Sequence, residues 1–166
     1  LTNSGTSSKR VAEKFKFSFC TPNEDEVLDD NTDTIFIATR HDSHAEYVLK
    51  GLKAGKNIFV EKPICLTEEE LDTIVKVQQS SNKPIMIGFN RRFSPLVDKI
   101  KEKFIDGPMS MIYRVNAGNI PVDHWIQDAE IGGGRINGEA CHFIDLLTHI
   151  TGSLPKEVSA MALPDV

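Results

Sequence analysis

The stretch Thr34-Ile-Phe-Ile-Ala-Thr39, with Asn57-Ile-Phe-Val60 a helix-length further on, decides how this chain folds. Residues 35–38 and 58–60 are short continuous apolar runs and do not alternate. They read as strands covered on both faces, as in a parallel sheet. Between them, residues 43–54 read as a helix with Ala45, Val48, Leu49 and Leu52 on its inner face. Gly55 is suited to ending that helix. The unit then repeats. Thr67-Glu-Glu-Glu70 has the pattern of a capping box, in which Thr67 accepts from the amide of residue 70 and Glu70 reaches back. Leu71, Ile74, Val75 and Val77 form the apolar face of the next helix, and Pro84-Ile-Met-Ile-Gly88 is the next strand. Strand and helix alternating through short connections over residues 34–88 predict parallel strands joined by right-handed crossovers.

Upstream, Val11, Ala12 and Phe15 fall at helical spacing and mark the end of an amphipathic helix. Downstream the character changes. Residues 95–104 predict a helix with a Leu96, Ile100 and Phe104 stripe, and Gly107-Pro108 breaks it. Residues 109–117 predict a strand, Gly132-Gly-Gly134 a flexible lead into a helix ending at Gly152, and residues 156–162 a last strand.

Composition narrows the function classes. A chain of 166 residues, 40% hydrophobic, can fold without disulfides or metals, since about 70% of its unfolded surface can be buried. With 19 Lys and Arg against 24 Asp and Glu, the net charge of −5 disfavours nucleic acid and anionic membranes as partners. No apolar run approaches the ~20 residues of a membrane helix. Cys20, Cys65 and Cys141 are odd in number and far apart, and no signal sequence opens the chain, which together point to the reducing cytoplasm.

Three polar clusters follow predicted strands or lie in the last long helix. In open α/β sheets ligands bind beyond the carboxyl ends of the strands. Thr39-Arg-His-Asp-Ser-His44 brings polar groups and a helix N-terminus together, suited to a phosphate or a polar cofactor edge. The alternative is a polar loop in which Asp42 or Ser43 caps the helix. Glu61-Lys-Pro63 places an ammonium over the same crevice, with Pro63 a candidate for the cis form; a surface ion pair is the plainer alternative. In the third cluster, His142, Asp145 and His149 share one helical side, and Glu139 lies one turn before His142 and within its reach. A histidine beside carboxylates suits general acid–base work, because its ordinary pKa lies near neutrality. A metal held by two histidines and a carboxylate, or an inert core histidine, are the competing readings. Ligands confined to one helix make the metal the weaker of these.

Together these motifs resemble the glucose-fructose oxidoreductase/inositol dehydrogenase family (Gfo/Idh/MocA-type NAD(P)-dependent oxidoreductases). The matching strings are Asp33-Thr-Ile-Phe-Ile-Ala-Thr39 with His44, Ala54 through Glu61-Lys-Pro63, Gly88-Phe-Asn-Arg-Arg-Phe-Ser-Pro95, and Gly132-Gly-Gly134 with His142-Phe-Ile-Asp145. The wording of Thr39 to His44 and of Gly138-Glu-Ala-Cys-His142 resembles the branch fused to an alcohol-dehydrogenase-like domain. The resemblance implies an α/β fold: a partial Rossmann domain over residues 1–93, a doubly wound parallel sheet lacking its first strands. The start of an α+β substrate and oligomerisation domain follows over residues 94–166. It also implies hydride transfer between NAD or NADP and a hydroxyl carbon of a sugar or polyol, in a homo-oligomer. Carried over by position, Ala38, Thr39, Arg40, His44, Glu61, Lys62, Asn90 and Arg91 border the cofactor. Lys62, His142 and Asp145 meet the substrate; His142 exchanges the hydroxyl proton, Lys62 steadies charge on oxygen, and Glu139 assists. No metal is implied. A non-catalytic nucleotide- or sugar-binding module is the rival reading.

The chain departs from the family pattern in two ways. Many members carry an aspartate where this chain has Gly138, so Glu139 is the nearest carboxylate that can substitute. No G-x-G-x-x-G phosphate turn precedes the strand at residue 35, so the sequence reads as an internal fragment. On that reading the edge of this strand is open to pairing with another chain. The isolated chain is also expected to bind NAD(H) more weakly than micromolar and to turn over negligibly, which calorimetric titration with NADH measures directly.

Overall fold

The computed structural model describes residues 5–29, 31–104 and 107–162. The chain runs α1 (Gly5–Phe15), β1 (Thr34–Ile37), α2 (His44–Lys53), β2 (Asn57–Val60), α3 (Glu68–Ser81), β3 (Ile85–Ile87), α4 (Pro95–Lys101) and α5 (Cys141–Thr151). The three strands form one parallel sheet in the order β1-β2-β3, with Ile35 beside Ile58 and Ile58 beside Ile85. Lys62-Pro63 is a cis peptide.

Sidedness follows from the topology. When parallel strands step in one direction across a sheet, successive right-handed crossovers place their helices on the same face. Accordingly α2 packs on β1, β2 and α3. Ile35, Ile37, Ile58 and Val60 point into this layer and meet Ala45, Val48, Leu52 and Ile74 in one core. Gly51 lets α2 lie close: a Cβ there would stand 2.5 Å from Ile35 Cδ1 and 2.6 Å from Ile58 Cδ1.

The expectation of strands covered on both faces is therefore corrected. On the opposite face Phe36 is 75% and Met86 50% exposed, with the Phe36 ring 5.1 Å from that of Phe59. The continuous apolar runs are real, but the crossover helices α2 and α3 both lie on one side. Nor is the outer edge of β1 wholly bare. Val27, Leu28 and Tyr47 flank it and leave a groove of about 210 Å³. The segment carrying Val27 and Leu28 is tied to α2 by Lys50 on Glu24 at 2.8 Å, and to the start of β2 by Lys56 donating to the Asp29 carbonyl.

Three further expectations change. Residues 109–117 and 156–162 are extended or irregular, with no β ladder, because no strand of the described residues lies beside them. The Leu96, Ile100 and Phe104 stripe faces outward, and Val97 is the buried residue of α4. In α3 only Ile74 is buried, while Leu71 and Val75 are exposed. The capping box forms as read, with Thr67 accepting from the Glu70 amide and Glu70 from the Thr67 amide. Among the described residues no helix is long and apolar enough to cross a membrane.

These contacts rank the local contributions. Thr67→Ala is expected to destabilise the chain by about 1 kcal/mol, and Ile74→Ala by roughly 2–5 kcal/mol because it opens a cavity in the core. Urea unfolding of the two variants measures the difference.

Candidate active site

Parallel strands all end at one edge, so the loops after β1, β2 and β3 converge there. They are the Thr39–Ser43 loop, the Glu61-Lys-Pro63 turn and a short 3₁₀ turn over Asn90–Phe93. Helix α5 packs against that last turn and carries His142 over the edge of the sheet. A π turn over Ile136–Ala140 precedes α5; such turns cluster at functional sites.

Lys62 crosses from the sheet to this helix. Its Nζ donates to the carbonyl oxygen of Gly138 and lies 3.8 Å from Glu139 Oε1. The Lys62 side chain is 14% exposed and that of Glu139 37%. The ammonium is thus sheltered, held by a neutral acceptor and only loosely countered by its carboxylate. Glu139 pairs with Lys62 and acts on His142 through its charge, without a hydrogen bond to the imidazole.

His142 is buried, and its Nδ1 has no hydrogen-bond partner. Burial lowers its pKa below the ordinary histidine value; the Lys62 and Arg91 cations lower it further, against Glu139 and Glu61. A buried polar atom without a partner is uncommon and marks a place where a ligand can supply one. Glu61 is half-buried and rests on Gly88, where a Cβ would stand 3.0 Å from Glu61 Oε2. Beside Glu139, a cleft of about 550 Å³ opens between residues 115–118 and Arg135, Ile136 and Phe143.

The remaining residues singled out from the sequence have these places. Ala38, Thr39, Arg40, Asn90 and Arg91 are exposed at the mouth. Arg40 lies over the Trp125 ring at 5.6 Å and Arg91 over Phe143 at 4.8 Å. Ser43 leads into α2 without a side-chain cap and donates instead to Thr39 Oγ1 at 2.7 Å and the Arg40 carbonyl at 2.9 Å. His44 is fully buried, with Nδ1 2.7 Å from the Pro63 carbonyl and Nε2 3.1 Å from that of Thr39. It braces two loops against each other through both ring nitrogens. Asp145 is likewise committed: both carboxylate oxygens take the Arg92 guanidinium, Nε at 2.9 Å. It ties α5 to the turn after β3. His149 faces Lys101 at 3.5 Å. Asp145 and His149 thus have separate partners, and no group of three possible metal ligands exists among the described residues.

Sequence reading missed Arg92, His41, Trp125 and Phe143. His41 is buried, with Nδ1 2.8 Å from the Gly132 carbonyl, and burial is the main reason its pKa falls. Arg92 stood in plain view beside Arg91; nothing local distinguishes which of the two pairs with α5. Burial pushes the Cys65 thiol up to about 11 and raises Cys141 as well, so neither suits a nucleophile.

Residues 1–89 match an oxidoreductase family with an NAD-binding Rossmann fold. Inositol 2-dehydrogenase of Rhizobium meliloti is 31% identical over 135 residues, covering 78% of this chain and 40% of that protein. Levoglucosan dehydrogenase of Pseudarthrobacter phenanthrenivorans is 28% identical over 152 residues, covering 86% of this chain and 39% of that protein. A solved structure of a levoglucosan dehydrogenase in complex with NADH superposes with a TM-score of 0.75 at 26% identity, over 90% of this chain and 43% of that one. The chain spans about two-fifths of the length of these relatives.

Both His41 and His142 take up a proton less readily folded than unfolded. Stability is therefore complete above the ordinary value of 6.5 and declines as pH falls below it toward the lower folded-state values. Urea midpoints are expected to drop over that window, and replacing both histidines by Asn is expected to flatten the drop.

Proposed function

Since this chain belongs to the oxidoreductase family with an NAD-binding Rossmann fold, we propose that it serves a dehydrogenase acting on a hydroxyl-bearing carbon of a sugar or polyol. The observation that supports this reading is the Lys62 bridge to Gly138, which holds the ammonium where its charge acts on the His142 imidazole.

The residues present suit the nicotinamide end of a dinucleotide. Glu61 offers acceptors for ribose hydroxyls, the exposed Thr39, Arg40 and Asn90 form the rim, and the partnerless His142 Nδ1 awaits a ligand. A bound nicotinamide would take or give the hydride. The chain's own part is proton and charge handling. Lys62 has donors beyond the one given to Gly138, and these can hold the substrate oxygen and steady the negative charge that develops on it. His142 is kept neutral by burial and by the neighbouring cations, so it can accept the hydroxyl proton and return it in the reverse direction. Glu139, near Lys62, limits the net positive charge of the cleft. The neighbouring cleft of about 550 Å³, lined by Glu139, Arg135 and Phe143 and not by Lys62 or His142, has room for a monosaccharide-sized molecule.

Inositol and levoglucosan dehydrogenases among the relatives support the substrate class. A cytoplasmic setting, a homo-oligomer and use of either NAD or NADP complete the proposal.

In the full-length protein, formation of NADH or NADPH is to be followed with myo-inositol, levoglucosan and D-xylose. Lys62→Ala and His142→Ala are each expected to lower kcat by about 10²-fold or more. Turnover unchanged in either variant overturns the role given to that residue. NADH binding with no turnover of any polyol supports the binding-module reading instead.

A further inference from the structure

The Gly138 carbonyl is reachable by Lys62 because no side chain projects beside it. A Cβ at 138 would stand 2.8 Å from Ile126 Cδ1 and 3.2 Å from His41 Cε1. Ile126 and the His41 ring thus fill the space a side chain would need.

His41 is held there by more than packing. Its Nδ1 lies 2.8 Å from the Gly132 carbonyl oxygen, and a carbonyl only accepts, so Nδ1 carries the proton and donates. Its ring meets Trp125 edge-on, with centroids 4.8 Å apart and planes at 77°. The next residue is tied at the same place, the Asp42 amide donating to the Ile131 carbonyl at 3.1 Å. Gly132 allows this approach, since a Cβ there would fall 2.3 Å from the Ile126 Cα. The loop after β1 and the segment leading into the π turn are therefore one locked unit, and His41 is the side chain that passes between them.

We infer that His41 is a positioning residue for Lys62: pinned to Gly132 and wedged beside Gly138, it sets where the Gly138 carbonyl meets the ammonium. The inference rests on the proposed reading of Lys62 and His142 as partners across one cleft. His41 acts on that cleft only through Gly138 and Lys62.

His142 reports the position of the ammonium. The charged groups that act on it are Lys62, Arg91, Glu139 and Glu61, so withdrawal of Lys62 raises its titration midpoint. That midpoint is read by NMR of the imidazole ring in the purified protein and in variants. Lys62→Met is expected to shift it upward. His41→Ala is expected to shift it in the same direction, because the ammonium loses its fixed acceptor. His41→Asn, whose amide can donate to Gly132, is expected to keep the original midpoint. If His41→Ala does not fold, His41→Phe provides the comparison, since it keeps the ring volume and loses the donor.

A midpoint that moves in Lys62→Met and stays put in His41→Ala or His41→Phe overturns the positioning role and leaves the Lys62–His142 pairing intact. A midpoint unmoved by Lys62→Met overturns that pairing and the inference with it. Nitrogen-15 spectra showing His41 protonated at Nε2 alone also overturn the inference.

Discussion

The arrangement of the cleft depends on one contact, the Lys62 ammonium on the carbonyl of Gly138. It joins a turn fixed by the parallel sheet to a helix entry 76 residues later in the chain. A carboxylate acceptor in that place would spend the charge of the lysine; a backbone carbonyl orients the ammonium and leaves its charge in force. Glu139 stands off at 3.8 Å with its side chain partly in water, so its screening is incomplete. The cation is therefore sheltered, aimed and still available to a developing oxyanion. That is the condition under which a fixed charge stabilises a transition state best.

The same contact constrains what surrounds it. A carbonyl can be presented to a side chain from the sheet only if residue 138 is small and the helix entry is held from behind. Gly138, Ile126 and His41 meet the first condition, and the Arg92–Asp145 pair meets the second. That pair is well shielded at the carboxylate, whose side chain is 9% exposed, and its two-pronged geometry fixes rotation as well as distance. His44 does the corresponding work on the sheet side by joining the loop after β1 to the turn after β2. Two residues expected to meet a substrate or cofactor thus also brace the loops and helix around the cleft.

The alternating strands and helices of residues 34–87 were legible because each is set by neighbours in sequence: apolar runs, a capping box, a glycine at a helix end. Which face each strand buries was not, because a run such as Ile35-Phe36-Ile37 is apolar on both sides and only the crossovers decide where the helices go. The extended stretch 109–117 was misread for a related reason. Partial alternation is a property of the residues, whereas a strand also needs an edge to pair with. In the cleft, Lys62, His142 and Glu139 could be picked out by chemistry and motif. Partnerships could not. Nothing near Asp145 in sequence announces Arg92, 53 residues away, and nothing near His41 announces Gly132, 91 residues away.

Histidine burial explains why this site and its scaffold respond together to acid. His41 and His142 are both buried, and both are shifted toward the neutral form, first by desolvation and then by neighbouring charges: His44 and Lys62 for His41, Lys62 and Arg91 for His142. Protonating either would set a second cation beside Lys62 in a poorly solvated place, which the fold opposes. The neutral state that suits His142 to accept a proton is thus also the state the fold favours. Lys62 adds to it on both rings. Moving Lys62 would raise the proton affinity of His142 and at the same time remove the charge that the substrate oxygen would meet.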